Sequence, residues 1–291
     1  MIAEINIKPT CPHYGICGGC KLYNSTYEEQ LQSKQEYINK VMAKTEVLPL
    51  PIIPSPILYN YRNKVEFTFF NDEQGNVGLG FHEKGAFNKF VNLEQCLIAP
   101  LGAIEILKVI RSWANQHQLT AYNKKTKKGL LRYLIVRKSI SNNSFLITLV
   151  TSYAGHEASI AELASQLQKI CTLTGLLLSV QEDTADAALL NHCEVIFGDD
   201  FFMDKIGDSL FKISYNSFFQ SNNLTAKILY DLLLQEIREG DKVLDLFCGA
   251  AYSSSGSFRL SKEDRYCELP IISSTMSLIS FLAKAFKLRL I

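Results

Sequence analysis

Three cysteines, Cys11, Cys17 and Cys20, fall within the run CPHYGICGGC with C-x5-C-x2-C spacing. A fourth, Cys96, lies well downstream in VNLEQCLIAP. Gly15, Gly18 and Gly19 let the backbone turn sharply enough for three sulfurs to converge on one point. Three close cysteines plus one remote one make a four-thiolate set, the ligand count of an iron–sulfur cluster or a structural zinc. The spacing is a variant of the ferredoxin C-x2-C-x2-C run. Zinc sites more often combine two C-x2-C pairs, and here only Cys17 and Cys20 form one. The pattern therefore favours a [4Fe–4S] cluster, with zinc as the alternative. A disulfide staple or plain core thiols would be the bland reading. It is weaker, because MIAEINIKPT has neither a basic n-region nor a long apolar stretch, and a chain without a secretory signal is expected to be cytoplasmic and reduced.

Two groups of cations stand out next. Lys124, Lys125, Lys127 and Lys128, followed by Arg132, Arg137 and Lys138, form the strongest local positive patch. A solvated hairpin tip explains such a run as well as phosphate binding does, and lysines on a loop bind phosphate without reading sequence. Arg62, Asn63 and Lys64 are interleaved with Tyr59, Tyr61 and Phe67. Aromatics beside arginine suit stacking on unpaired bases, or they are simply the core side of a strand. Near the end, VLDLFCGA (243–250) reads as a short buried strand with an acidic residue, Asp245, running into a glycine turn. Ligands of open parallel sheets bind beyond such strand ends.

The elements that must position these residues follow from periodicity. Residues 25–45 read as a helix, capped by Ser25 or Thr26, with Glu28 and Glu29 in its first turn and Leu31, Ile38 and Met42 on one period. The proline-rich 48–56 is an extended connector. Val65, Phe67 and Phe69 alternate with polar residues, giving a half-buried strand over 59–70 that pairs in a hairpin with 77–87. Helices are expected over 100–118, 155–170 and 221–237, the last with Leu224, Ile228 and Leu232 on one face. Strands are expected at 134–136, 143–152 and 175–183. Intermingled strands and helices point to a mixed α/β or α+β domain.

Composition bounds this picture. The 291 residues suggest about two domains. The chain is 47% hydrophobic and 20% charged with a net charge of +1, so any nucleic-acid surface must be local. No window reaches the roughly 18–20 apolar residues needed to span a bilayer.

CPHYGICGGC, YRNKVEFTF, GFHEKGAF with Cys96, LLRYLIVR, FFQSN and VLDLFCGA occur in the order of the bacterial RNA (uracil-5-)-methyltransferases, and the chain most resembles the iron–sulfur group acting on 23S rRNA. The resemblance covers roughly residues 9–250. It implies an α+β central domain carrying an iron–sulfur loop and binding RNA (1–205), followed by the start of a Rossmann-like S-adenosylmethionine-dependent methyltransferase α/β domain that is incomplete (206–291, with 252–291 atypical). It implies that Cys11, Cys17, Cys20 and Cys96 hold a [4Fe–4S] cluster and that Gln220 and Phe247 line the S-adenosyl-L-methionine site. The partner would be RNA, 23S rRNA first, the protein a monomer, and the cluster structural rather than redox-active.

In that family a cysteine thiolate adds to carbon 6 of uracil, carbon 5 takes the methyl group, and a carboxylate removes the carbon 5 proton. The family's S-C-N-P or S-C-D-P nucleophile loop, its D-P-x-R aspartate and its C-terminal glutamate have no counterpart in these residues. The chain as written is therefore expected to lack methyl transfer. The rival reading is a non-catalytic RNA-binding fragment stabilised by its cluster. Residues 252–291 depart from the family pattern as a reading-frame shift would make them. Cys267, in YCELP, is not a substitute nucleophile. Glu268 has the spacing of a ribose-binding acid but no apparent apolar strand before it. Cys248, Cys171 and Cys193 are read as core thiols, and His13 and His82 as loop residues, not ligands.

Overall fold

The computed structural model describes residues 10–22, 24–183, 188, 190 and 192–236, together with two short strands at 243–245 and 265–267. Its centre is a seven-stranded sheet in the order β3-β2-β1-β4-β5-β6-β7. The strands are β1 Lys64–Asn71, β2 Val77–His82, β3 Phe90–Asn92, β4 Leu131–Ser139, β5 Ser144–Thr151, β6 Thr172–Val180 and β7 Glu194–Gly198. Every pairing is antiparallel except β5 with β6, which run parallel. The helix α3, Glu157–Leu167, makes that crossover, since parallel neighbours cannot be joined by a tight turn. Helix α1 spans Tyr27–Met42 and α2 spans Ala103–Gln116.

One sheet face carries the main core. Phe67, Leu79, Leu134 and Ile147 pack with Ile106, Ile110 and Trp113 of α2 and Leu163 of α3. The Trp113 indole N–H donates to the Ser159 carbonyl at 3.1 Å, so its one polar atom is satisfied inside the core. The opposite face is covered over its centre by a hairpin of β8, Phe201–Ile206, and β9, Ser209–Ser214, backed by α4, Asn223–Glu236. Phe202, Ile206, Phe211 and Ile213 meet Leu146 and Leu177 there. Every residue of β4 and β5 is consequently buried, whereas β1 alternates buried and open positions. That is why the period-two signal is clean in β1 and lost in β4 and β5. The expected domain boundary at 205/206 falls inside β8, where Lys205 pairs with Leu210 and Ile206 with Ser209 of β9.

The first helix starts as the sequence dictates. The Glu29 N–H donates to Thr26 Oγ1 at 3.2 Å and the Thr26 N–H to Glu29 Oε2 at 2.7 Å, a reciprocal cap. None of its residues is fully buried, and Ile38 is exposed. The proline-rich connector runs along it, with the Ser55 N–H donating to Tyr27 Oη at 2.6 Å and the Ile52 N–H to Gln35 Oε1 at 2.7 Å.

Two expectations need correction. In α4 the inward positions are Asn223, Ala226 and Tyr230, while Leu224 is exposed. The helix is oriented by a buried polar residue near its start, which a hydrophobic count cannot see. Residues 243–245 form β10 and pair in parallel with β11, Arg265–Cys267, so a strand does stand directly before Glu268. The sequence hid it because Arg265-Tyr266-Cys267 is not an apolar run. Phe247, Cys248 and Glu268 lie outside the described residues.

Candidate functional site: a thiol pocket and a cationic cleft

The loop of residues 11–20 folds on itself before it docks on the sheet. The Tyr14 N–H donates to the Cys11 carbonyl at 3.1 Å and the Cys17 N–H to the His13 carbonyl at 2.8 Å. Gly15 has φ +90°, a conformation that favours glycine. The Gly18 N–H reaches the His82 carbonyl at 2.9 Å and the Lys84 N–H reaches the Ile16 carbonyl at 2.7 Å, so the loop extends the end of β2. A side chain on Gly18 would press against that His82 carbonyl at 3.0 Å. The His13 ring accepts the Glu94 N–H on Nε2 at 3.1 Å, tying the loop to the segment that carries Cys96.

Cys11, Cys17, Cys20 and Cys96 then line a single pocket with His13, Tyr14 and Leu93. All four are free thiols. Burial pushes the Cys17 thiol up, helped by Cys96 and Cys11 and opposed by the Gly19 N–H. Burial first, then Cys96, Cys17 and Cys11, push Cys20 up to about 11, with Arg62 acting the other way. Cys96 is raised by burial against the N–H groups of Ile98 and Ala99. Mutual repulsion of this kind requires that the four sulfurs share one neighbourhood, and thiolates there would need a compensating cation. Among the described residues, no group of three or more His, Cys, Asp or Glu side chains is arranged to hold a metal ion directly. His82 is the last residue of β2 rather than a loop residue, and its ring lies 4.5 Å from that of Phe90.

Arg62, whose charge reaches Cys20 and Cys96, also lines a second concavity with Lys64, Glu66, Arg137, Phe218 and Gln220. This cleft is held from beneath by buried amides. The Asn63 N–H donates to the Ser221 carbonyl at 2.8 Å, and Asn63 Nδ2 donates to the Gln220 carbonyl at 2.7 Å and to Asn223 Oδ1. Asn223 Nδ2 donates to Asp204 Oδ2 at 2.7 Å, and Asp204 Oδ1 takes the N–H groups of Ser141 and Lys205, both at 2.9 Å. Asp204 and Asn63 escape sequence reasoning because their partners are distant in the chain. Gln220 is half-buried at the cleft, and Phe218 beside it is 70% exposed.

The basic run is not one patch. Lys124 to Lys128 sit on an exposed turn, while Arg132, Arg137 and Lys138 are buried in β4. Arg132 lies over the Tyr122 ring at 4.7 Å, and Lys138 Nζ donates to the Leu101 carbonyl at 2.8 Å. Of the aromatics beside Arg62, Phe67 is a core residue and Tyr59 and Tyr61 are half-buried.

No family model matches the chain. It is 35% identical over 254 residues to an uncharacterized RNA methyltransferase of Caldanaerobacter subterraneus subsp. tengcongensis, covering 85% of this chain and 56% of that protein. It is 32% identical over 252 residues to another from Oceanobacillus iheyensis, covering 84% of this chain and 54% of that protein. The chain thus spans about half the length of the curated relatives it matches. Among solved structures, the Pyrococcus abyssi tRNA (uracil-54, C5)-methyltransferase in complex with S-adenosyl-L-homocysteine superposes with a TM-score of 0.66 at 21% identity. The match covers 82% of this chain and 55% of that one, and at this identity the likeness concerns the fold. Among the described residues no helix is long and apolar enough to cross a membrane.

Proposed function

We propose that this chain is part of an S-adenosylmethionine-dependent RNA (uracil-5-)-methyltransferase of the iron–sulfur group, acting on 23S rRNA to make 5-methyluridine. In this reading residues 1–205 bind RNA and the region from 206 begins the methyltransferase domain. The relatives named RNA methyltransferases support the class, and the solved tRNA (uracil-54, C5)-methyltransferase agrees with it in fold. The observation that carries the finer reading is the convergence of Cys11, Cys17, Cys20 and Cys96 on one pocket, next to a cationic cleft that ends at Gln220.

The donor set fits an iron–sulfur cluster: four thiols, three from one glycine-bearing loop and one from beyond β3. When bound, the cluster would serve as a structural tie rather than an electron carrier, because methyl transfer moves no net electrons. Within the chain, the His13–Glu94 hydrogen bond and the Gly18–His82 hydrogen bond already bring the two ligand segments together. Gln220, with Phe247 from the glycine turn, would line the S-adenosylmethionine site, and the Asn63 amide holds the Gln220 backbone in place. The cations of Arg62, Lys64 and Arg137 would face the polynucleotide. Because the nucleophile and base motifs are not among these residues, the chain by itself would bind RNA without methylating it.

The test is anaerobic purification followed by iron analysis, RNA filter binding and methyl incorporation into unmodified 23S rRNA. Absorbance near 400 nm and about four irons per chain are expected. Zinc without iron would refute the cluster. Failure to retain RNA would refute the RNA reading, and incorporation of methyl groups would refute the inactivity of this chain.

A further inference from the structure

We propose that Arg137 and Arg62 form a preorganised oxyanion site in the cleft before Ser217–Ser221, and that its ligand is a phosphodiester of the bound RNA strand. The proposal rests on the RNA reading above and names which group of the strand this cleft takes.

Arg137 is only 5% exposed, yet among the described residues no carboxylate forms an ion pair with it. One terminal nitrogen donates to the Ser217 carbonyl at 2.8 Å, and its buried Nε has no acceptor among the described residues. Burial pulls the group down to about 10, against the nearby Glu66 carboxylate. A guanidinium in that state carries an unspent desolvation cost, and an anion in the cleft would offset it. Arg62 lines the same cleft, and its Nε is likewise buried without an acceptor among the described residues. Among the described residues Glu66 is the one carboxylate of the lining, and it is engaged by Lys64 Nζ at 2.6 Å. Three cations against one carboxylate leave the cleft positive in a chain whose net charge is only +1. Two planar guanidinium groups with unsatisfied donors match the oxygens of a phosphate, where an ammonium would act as a point charge. The Ser217 carbonyl and the buried setting of β4 fix Arg137 before any ligand arrives, so little side-chain entropy remains to be lost on binding. The lysines at 124–128 instead sit exposed on a turn.

The probe is a fluorescein-labelled, uridine-rich single-stranded RNA, titrated over a range of salt concentrations against the full chain and its Arg62→Gln and Arg137→Gln variants. Each variant is expected to bind about tenfold more weakly, as for a lost charged hydrogen bond. The slope of log K against log salt should become shallower by about 0.7 per lost phosphate contact. A scan of single methylphosphonate linkages should find one position that weakens the wild type and leaves Arg62→Gln unaffected. If Arg137→Gln fails to fold by its melting curve, Arg62→Gln and the scan decide the matter. Wild-type RNA binding with unchanged slopes in the folded variants overturns the oxyanion site while leaving the RNA reading intact. If the wild type binds no RNA, the RNA reading fails, and inorganic pyrophosphate becomes the arbiter. A melting temperature raised by pyrophosphate in the wild type and not in Arg62→Gln upholds the anion site, and no rise overturns it.

Discussion

Arg62 lines the cationic cleft and its charge reaches the thiol pocket, but the two regions are held in opposite ways. The pocket is assembled at the surface. Its loop is fastened by a few backbone hydrogen bonds to the end of β2 and by the His13–Glu94 contact, and the helix that follows buries no residue completely. The cleft is assembled from inside. Its floor is the chain of buried side chains Asn63, Asn223 and Asp204, which joins the start of β1, the β8–β9 hairpin and α4. A site of the first kind depends on what it binds to become rigid. A site of the second kind is already rigid and carries the cost as buried polar groups.

The largest effect should come from breaking the interior frame. In Asp204→Ala the N–H groups of Ile140, Ser141 and Lys205 and the Asn223 amide lose their acceptor inside the protein. A loss of about 3 kcal/mol in denaturant unfolding is expected, within the range for a broken buried network. A loss under about 1 kcal/mol would mean that the cleft floor does not support the fold. Next in size, on the proposal that the pocket holds a cluster, is what that cluster would contribute to stability. Iron-loaded protein should be more stable than the stripped protein by about 2–3 kcal/mol. Cys96→Ala should abolish that difference. Equal stability of loaded and stripped wild type would place the pocket in the same self-supporting class as the cleft.

The two regions were also unequally legible. The loop side of the pocket could be read from the chain because its parts are close in sequence, whereas Cys96 joins it from far downstream. Cys11, Cys17 and Cys20 share one loop, glycine marks its turns, and Thr26 with Glu29 announces the helix after it. The alternation at Val65, Phe67 and Phe69 gave β1 its face for the same local reason. The cleft could not be read so, since Asn63 and Asn223 meet across most of the chain and neither residue type signals a network by itself. Proximity in sequence even misled. Arg132, Arg137 and Lys138 follow the exposed lysines closely but belong to a strand covered on both faces, where Arg132 and Lys138 are engaged by backbone carbonyls and an aromatic ring. The inward side of α4 was missed because Asn223 fixes the helix through Asp204, leaving Leu224 exposed.

The smallest effect sharpens the contrast most, because it separates local from global stability. Thr26→Ala removes the Oγ1 acceptor of the Glu29 N–H and half of the reciprocal cap of α1, which should cost that helix about 1 kcal/mol. Since α1 buries no residue completely, it can open while the sheet stays folded. Amide hydrogen exchange within α1 should therefore speed up about fivefold, while the amides of β4 and β5 exchange as before. If instead the exchange of β4 and β5 accelerated in step with α1, the helix and the sheet would open as one cooperative unit. The thiol loop just ahead of α1 would then draw its rigidity from the core, and the division between a ligand-dependent pocket and a self-supporting cleft would not hold.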